Sequence, residues 1–206
     1  MNCKLLALSL LTIFICGCTD YNKIFRKACK DGNVTEVERL IKSGKIDINK
    51  KVYGNGPNPL MIASEQGKEE VVRILIENGA DVNIKDGANW TALFYASIKG
   101  CDSVVTILLE HGAGTDIKIS TGSTALSVAS FHGHDKTVEL LLQHKANVNI
   151  PNKEGQTALD NAIEKKHKRI TELLKSHDAK TGEELKAEKP SLGTAPDYKK
   201  NKPNQN

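Results

Sequence analysis

Residues 91–116 read TALFYASIKGCDSVVTILLEHGAGTD, and the fold follows from this stretch. Leu93 and Ala96 stand three apart, which places them on one face of a short helix. The small Ala96 lets a neighbouring helix approach closely. Gly100 permits a tight turn, and Asp102 stands where a second helix wants an N-cap or an N-terminal negative charge. Val104, Val105, Ile107, Leu108 and Leu109 then cover both sides of that second helix. A helix apolar on two sides must be buried on two sides, as it is when helix pairs stack in a row. Gly112 suits the left-handed residue that ends it.

The same arrangement recurs at a fixed period. Leu60, Leu93, Leu126 and Leu159 are each 33 apart, as are Ala63, Ala96, Ala129 and Ala162. Ala80, Ala113, Ala146 and Ala179 keep step, and so do Gly67, Gly100 and Gly133, until Lys166 breaks the glycine series. A fixed period of this size means a stacked repeat rather than a closed globule. Residues 58–83, 91–116 and 124–149 resemble the ankyrin repeat, whose hallmark is a Thr-Pro-Leu-His-x-Ala opening, a glycine between two helices and a Gly-Ala-Asp-x-Asn turn. Asn58 replaces the threonine, and Ala92 and Ala125 replace the proline. The expected fold is an all-α solenoid of about five helix-turn-helix units with short hairpin-like loops, over residues 24–179.

The outer units read as caps. Glu36 and Arg39 stand where inner units have Val71 and Ile74, and Lys175 stands where they have Ile76, Leu109 and Leu142. Polar outer faces keep an open-ended stack soluble. Two extra residues lengthen the first connecting loop, within KIDINKKVYGNGPNP (residues 45–59). Residues 180–206 are poor in apolar side chains and carry three prolines, so a disordered tail is expected there.

The chain opens MNCKLLALSLLTIFICGC. Residues 5–15 are uncharged and span about 16 Å as a helix, too short for a bilayer core of about 30 Å. A basic start, a short apolar middle and a small-residue exit read as a secretory signal over residues 1–17. Ile15, Cys16, Gly17 and Cys18 resemble the lipobox of bacterial lipoproteins, although Cys16 stands where Ala, Ser or Thr is more usual. The resemblance implies a diacylglyceryl group on the Cys18 sulfur and cleavage just before it, with residues 18–23 as tether. A cleaved signal with incidental cysteines and a short signal anchor are the alternatives. The implied location is the bacterial cell envelope.

The 206 residues carry 29 basic and 25 acidic side chains spread along the chain, a balance that does not call for nucleic acid. Phosphate-cradling glycine loops, His-Glu-x-x-His and Cys-x-x-Cys are absent from the sequence. Thr121-Gly122-Ser123-Thr124 falls on the threonine that opens a repeat, so it reads as a turn. His134 occupies the Gly-His turn position; His111, His144 and His177 recur at 33, one per unit, too far apart for one metal ion. Cys29 and Cys101 lie two units apart, roughly 20 Å by helix spacing, too far for a disulfide. No catalytic residue, metal or cofactor is expected.

In the ankyrin family, partners dock on the concave surface of turn tips and first helices. Carrying those columns over picks out Trp90, Ile98 and Phe131 as an apolar spot in the middle units, with Lys99, His132 and Lys165 adding charge. The alternative is that these side chains fold onto their own helices and fill gaps. The expectation is a monomeric, non-catalytic module that binds an unidentified protein and is held at a membrane by its lipid. A secreted effector that binds a host protein, or an accessory factor for an envelope enzyme, are the rival readings.

Overall fold

A computed structural model describes residues 20–188, in which eleven helices and one short 3-10 turn occur and no strand. The signal segment 1–17, Cys18 and residues 189–206 lie outside the described residues. Five helix pairs follow one another: α1 (Tyr21–Asp31) with α2 (Val34–Lys42), α3 (Pro59–Glu65) with α4 (Glu69–Glu77), and α5 (Ala92–Lys99) with α6 (Asp102–Glu110). The last two are α7 (Ala125–His132) with α8 (Asp135–Gln143) and α9 (Ala158–Glu164) with α10 (Lys168–Lys175). A short α11 (Gly182–Glu188) closes the described chain. First helices pack on first helices and second helices on second helices along the row.

Each first helix starts on a side chain that satisfies an orphan backbone donor. Asn58, Thr91, Thr124 and Thr157 accept hydrogen bonds from the N–H groups of Met61, Phe94, Ser127 and Asp160, at 2.9, 3.3, 3.3 and 3.4 Å. Asn58 therefore does the threonine's work. The leucine column is buried, and Ala63, Ala96, Ala129 and Ala162 are each at 0% exposure, where adjacent first helices meet. No larger side chain fits that contact without pushing the layers apart.

The glycine series has a reason in the next unit. His134 lays its ring over Gly100, with Nε2 2.9 Å from the Ile98 carbonyl oxygen, and His167 does the same over Gly133, 3.1 Å from the Phe131 oxygen. A Cβ on Gly100 would sit 2.5 Å from His134 Nδ1, and one on Gly133 would sit 2.6 Å from His167 Cε1. Lys166 also has a left-handed backbone, φ 60°, yet among the described residues no further helix pair follows to lay a ring over it. The series breaks there because only the backbone strain remains.

A second column ties the loops together. Asn83 accepts from Gly114 N–H at 2.9 Å and donates to the Gly112 oxygen at 3.1 Å. Asn49 and Asn149 repeat both bonds, to Asp81 and Gly79 and to Lys180 and Asp178. The fourth member is Asp116, which accepts from Asn147 N–H at 2.9 Å but has no amide to donate. The loop tips join too: Gly87 donates to Asn55, Ser120 to Ala88 and Lys153 to Thr121.

At the first end, Glu36 and Arg39 form a two-pronged ion pair on the outer face, with bonds of 2.6 and 2.7 Å. Both ends of the row differ from the expected boundaries. Helix α1 begins at Tyr21, three residues before the boundary at 24, so part of the 18–23 tether is helical. Residues 180–188, placed by composition in a disordered tail, are tied to the last unit. Asp160 accepts from both Thr157 and Gly182 N–H, at 2.8 and 2.7 Å, and Thr157 Oγ1 donates to the Lys180 oxygen at 2.8 Å. Composition misses this because polar ties, not apolar burial, hold the segment.

Candidate functional site

Asp86 organises the loop that precedes α5. Its Oδ1 accepts from the N–H groups of Ala88 and Trp90, at 2.8 and 2.9 Å, and its Oδ2 accepts from the Tyr95 hydroxyl at 2.9 Å. Burial, and then the bond to Asp86, push the Tyr95 hydroxyl above its ordinary range, so it stays a donor. The Trp90 ring rests 5.0 Å from Phe94 and 5.1 Å from Tyr95, centre to centre. Trp90 is thus half-buried against its own helix, as the gap-filling alternative required, and one side of it still faces a cleft.

That cleft has a volume of about 400 Å³ and runs between the loops at 117–123 and 150–156 and the helices α5, α7 and α9. Trp90, Ile98, Phe131 and His132 all line it. Phe131 is 38% exposed, with Lys165 Nζ 4.3 Å above its ring centre and His132 edge-on at 5.2 Å. His132 stacks at 5.9 Å on His134. Partial burial, and then the charges of His134, Lys99 and His167, hold His132 below its usual value, favouring the neutral ring.

Lys99 does not join the group. Its ammonium lies 3.6 Å from Glu65 on the previous unit, and Lys99 does not line the cleft, although its charge reaches His132. The column places Lys99 one step further round the helix than Ile98, and a carboxylate waits there.

Ile119 also lines the cleft, at a position that the variable columns do not pick out. Asp86, Ile119 and Asn152 share one column, and Asp86 and Asn152 each clamp their own loop by accepting from N–H groups two and four residues on. Ile119 cannot clamp; it is buried and forms an apolar wall of the cleft. The signal was present as an aliphatic residue in a column of Asp and Asn. Ile119, Phe94 and Val128 supply the apolar floor, while Asn152, Gln156 and Asn161 supply polar groups.

Four of the six histidines play structural parts. His134 and His167 bond carbonyls of the preceding unit, while His111 Nδ1 and His177 Nδ1 lie 2.8 and 3.0 Å from carbonyls of their own helices. Among the described residues no cluster of His, Cys, Asp and Glu has the geometry to hold a metal ion. Cys29 and Cys101 are free thiols; burial pushes the Cys29 thiol up to about 12. Among the described residues no helix is long and apolar enough to cross a membrane.

The chain is similar to a plant protein of Arabidopsis thaliana, E3 ubiquitin-protein ligase XBAT33, with 32% identity over 77 residues, which is 37% of this chain and 15% of that protein. Ankyrin repeat domain-containing protein 29 of Danio rerio is 41% identical over 59 residues, covering 28% of this chain and 19% of its own length. Notch-regulated ankyrin repeat-containing protein A, also of Danio rerio, is 28% identical over 81 residues, 38% of this chain and 72% of that protein. The chain spans only 15% of the first of these, so the likeness is confined to the repeats. The family described as Ankyrin repeats (3 copies) matches residues 8–86, 25–121 and 113–184. With that coverage and the stacked helix pairs above, the chain belongs to the ankyrin-repeat family and is a protein-protein interaction module.

Proposed function

We propose that this chain is a non-catalytic docking module, anchored in a bacterial envelope through a lipid on Cys18, that receives a partner protein in the cleft of its third to fifth units. One observation carries the docking reading. Trp90, Ile98, Phe131 and His132 converge on a single cleft, and Ile119 abandons its loop-clamping role to complete the wall. An apolar floor with polar groups at its edge is the anatomy of an interaction hot spot. The Asp86 clamp and the bonds between loop tips fix the cleft before a partner arrives, which lowers the entropy lost on binding.

The anchor rests on Ile15, Cys16, Gly17 and Cys18. Two acyl chains suffice for stable attachment, at about 0.8 kcal/mol per buried CH₂. Mass spectrometry of the mature N-terminus tests it: a diacylglyceryl mass on Cys18 is expected, and an unmodified chain released from cells would replace the anchored reading with the secreted one.

Crosslinking in intact cells, then capture, tests the cleft. Ile119→Asn restores the column's clamping residue while removing the apolar wall, so the fold is kept and the captured partner is lost. Phe131→Ala acts alike. If both variants capture the same partners as the parent chain at the same yield, the cleft is not the docking site.

A further inference from the structure

Four large apolar side chains are exposed among the described residues: Ile24, Tyr53, Phe131 and Ile163. Phe131 belongs to the cleft, and Ile163 lies beside α11 at the far end. Tyr53 is the extreme case, fully exposed at the tip of the first loop, where the chain carries its two extra residues. It adopts φ 48°, a left-handed backbone that a non-glycine aromatic takes only where the surroundings impose it. They do so here. Val52 N–H donates to the Pro57 oxygen at 3.1 Å, Gly56 N–H to the Val52 oxygen at 2.7 Å, and Gly87 N–H from the next loop to the Asn55 oxygen at 2.6 Å. The turn is therefore held rigid with its ring in water.

The loop that carries that ring is basic. Residues 45–57 carry Lys45, Lys50 and Lys51 against the single acid Asp47. Lys50 and Lys51 make no ion pair among the described residues, while Lys45 reaches back to the Tyr21 hydroxyl at 3.3 Å. Asp47 N–H donates to the Asn22 side chain at 3.2 Å, so the base of this loop sits beside the N-terminus of α1. Because α1 begins at Tyr21 with Asp20 as its cap, a single residue, Thr19, stands between that cap and Cys18, so at most about 7 Å of chain joins them.

We infer that the first loop, through Tyr53, Lys50 and Lys51, binds the anionic headgroup surface of a lipid bilayer and fixes the orientation of the solenoid on it. Tyrosine is amphipathic and settles at the headgroup level, and neighbouring lysines meet the negative surface. The lipid on Cys18, on which this inference rests for its geometry, would bring the loop within reach; the loop would then decide which way the stack faces.

The test does not depend on whether cells lipidate the chain. Residues 18–206, which hold every described helix, carry Cys101→Ser and are coupled through Cys18 to a maleimide lipid; Cys29, buried, does not react. The chain is placed in vesicles of phosphatidylcholine alone or mixed with phosphatidylglycerol, and hydrogen exchange is followed loop by loop. Exchange in residues 45–57 is expected to slow on the anionic vesicles only, with the effect reduced about fivefold by Lys50→Ser and again by Lys51→Ser. Tyr53→Asn, which keeps the charge and tolerates the left-handed backbone, weakens the effect too. Equal exchange on both vesicle types, or equal slowing of the later loops, would overturn the inference. Mass spectrometry of Cys18 separately decides the anchor.

Discussion

Replacing Gly100 by alanine should cost more than its backbone angle alone predicts. Gly100 has φ +66° and Gly44 has φ +65°, so the strain of a Cβ in the left-handed region is the same at both, about 1–2 kcal/mol. Their surroundings differ. A Cβ on Gly44 meets nothing within 4 Å, whereas one on Gly100 falls 2.5 Å from His134 Nδ1. The ring must move, and its Nε2 then gives up the 2.9 Å bond to the Ile98 oxygen, a further ~1 kcal/mol. Gly100→Ala should therefore lose about 2–3 kcal/mol against about 1–2 for Gly44→Ala. Urea denaturation followed by far-UV circular dichroism measures both. In the background His134→Ala the clash is gone, and Gly100→Ala should fall to the Gly44 value, giving a coupling of about 1 kcal/mol. Equal losses at the two glycines, or no coupling with His134, would refute the account of why the glycine series ends at Lys166.

Three other outcomes follow from the same contacts. Asp116→Asn supplies the amide that Asn49, Asn83 and Asn149 use, and should raise stability by about 0.5–1.5 kcal/mol in the same denaturation assay. Cys29, at 0% exposure and with its thiol pushed up to about 12, should resist a thiol reagent at neutral pH until denaturant unfolds the first unit. His132 is held below its usual value, so between that value of 6.5 and its lower folded one the unfolded chain binds more protons. Its contribution is present above pH 6.5 and lost as pH falls through the folded value; His132→Gln should flatten this part of the stability-pH curve.

The period was legible because the Leu and Ala columns carry the inter-unit packing, and packing at a fixed spacing prints itself on the sequence. Asn58 looked like a decayed threonine, yet either side chain offers the oxygen that Met61 N–H needs. Trp90, Ile98, Phe131 and His132 could be assigned to one surface by column alone. Lys99 could not be separated from them, since its partner Glu65 is in another unit and 34 residues away. The Asp160 and Thr157 bonds that dock residues 180–182 were invisible for a different reason. They use backbone N–H and C=O groups, which every residue has and no composition records.

Ile119 shows how an apolar wall can be set into a repeat while its loop stays tied. Its loop forgoes the side-chain clamp that Asp86 and Asn152 give theirs, a loss of two hydrogen bonds. The loop keeps its own bond from Ile119 N–H to the Ser123 oxygen, and both neighbours grip it, through Ser120 to Ala88 and Lys153 to Thr121. Only an inner loop has a neighbour on each side. A loop at either end of the row would have one grip instead of two, so the same substitution there would free the loop and raise the entropy that a partner must remove. Ile119 thus stands in an inner loop, where a loop can exchange its clamp for an apolar wall and stay tied on both sides.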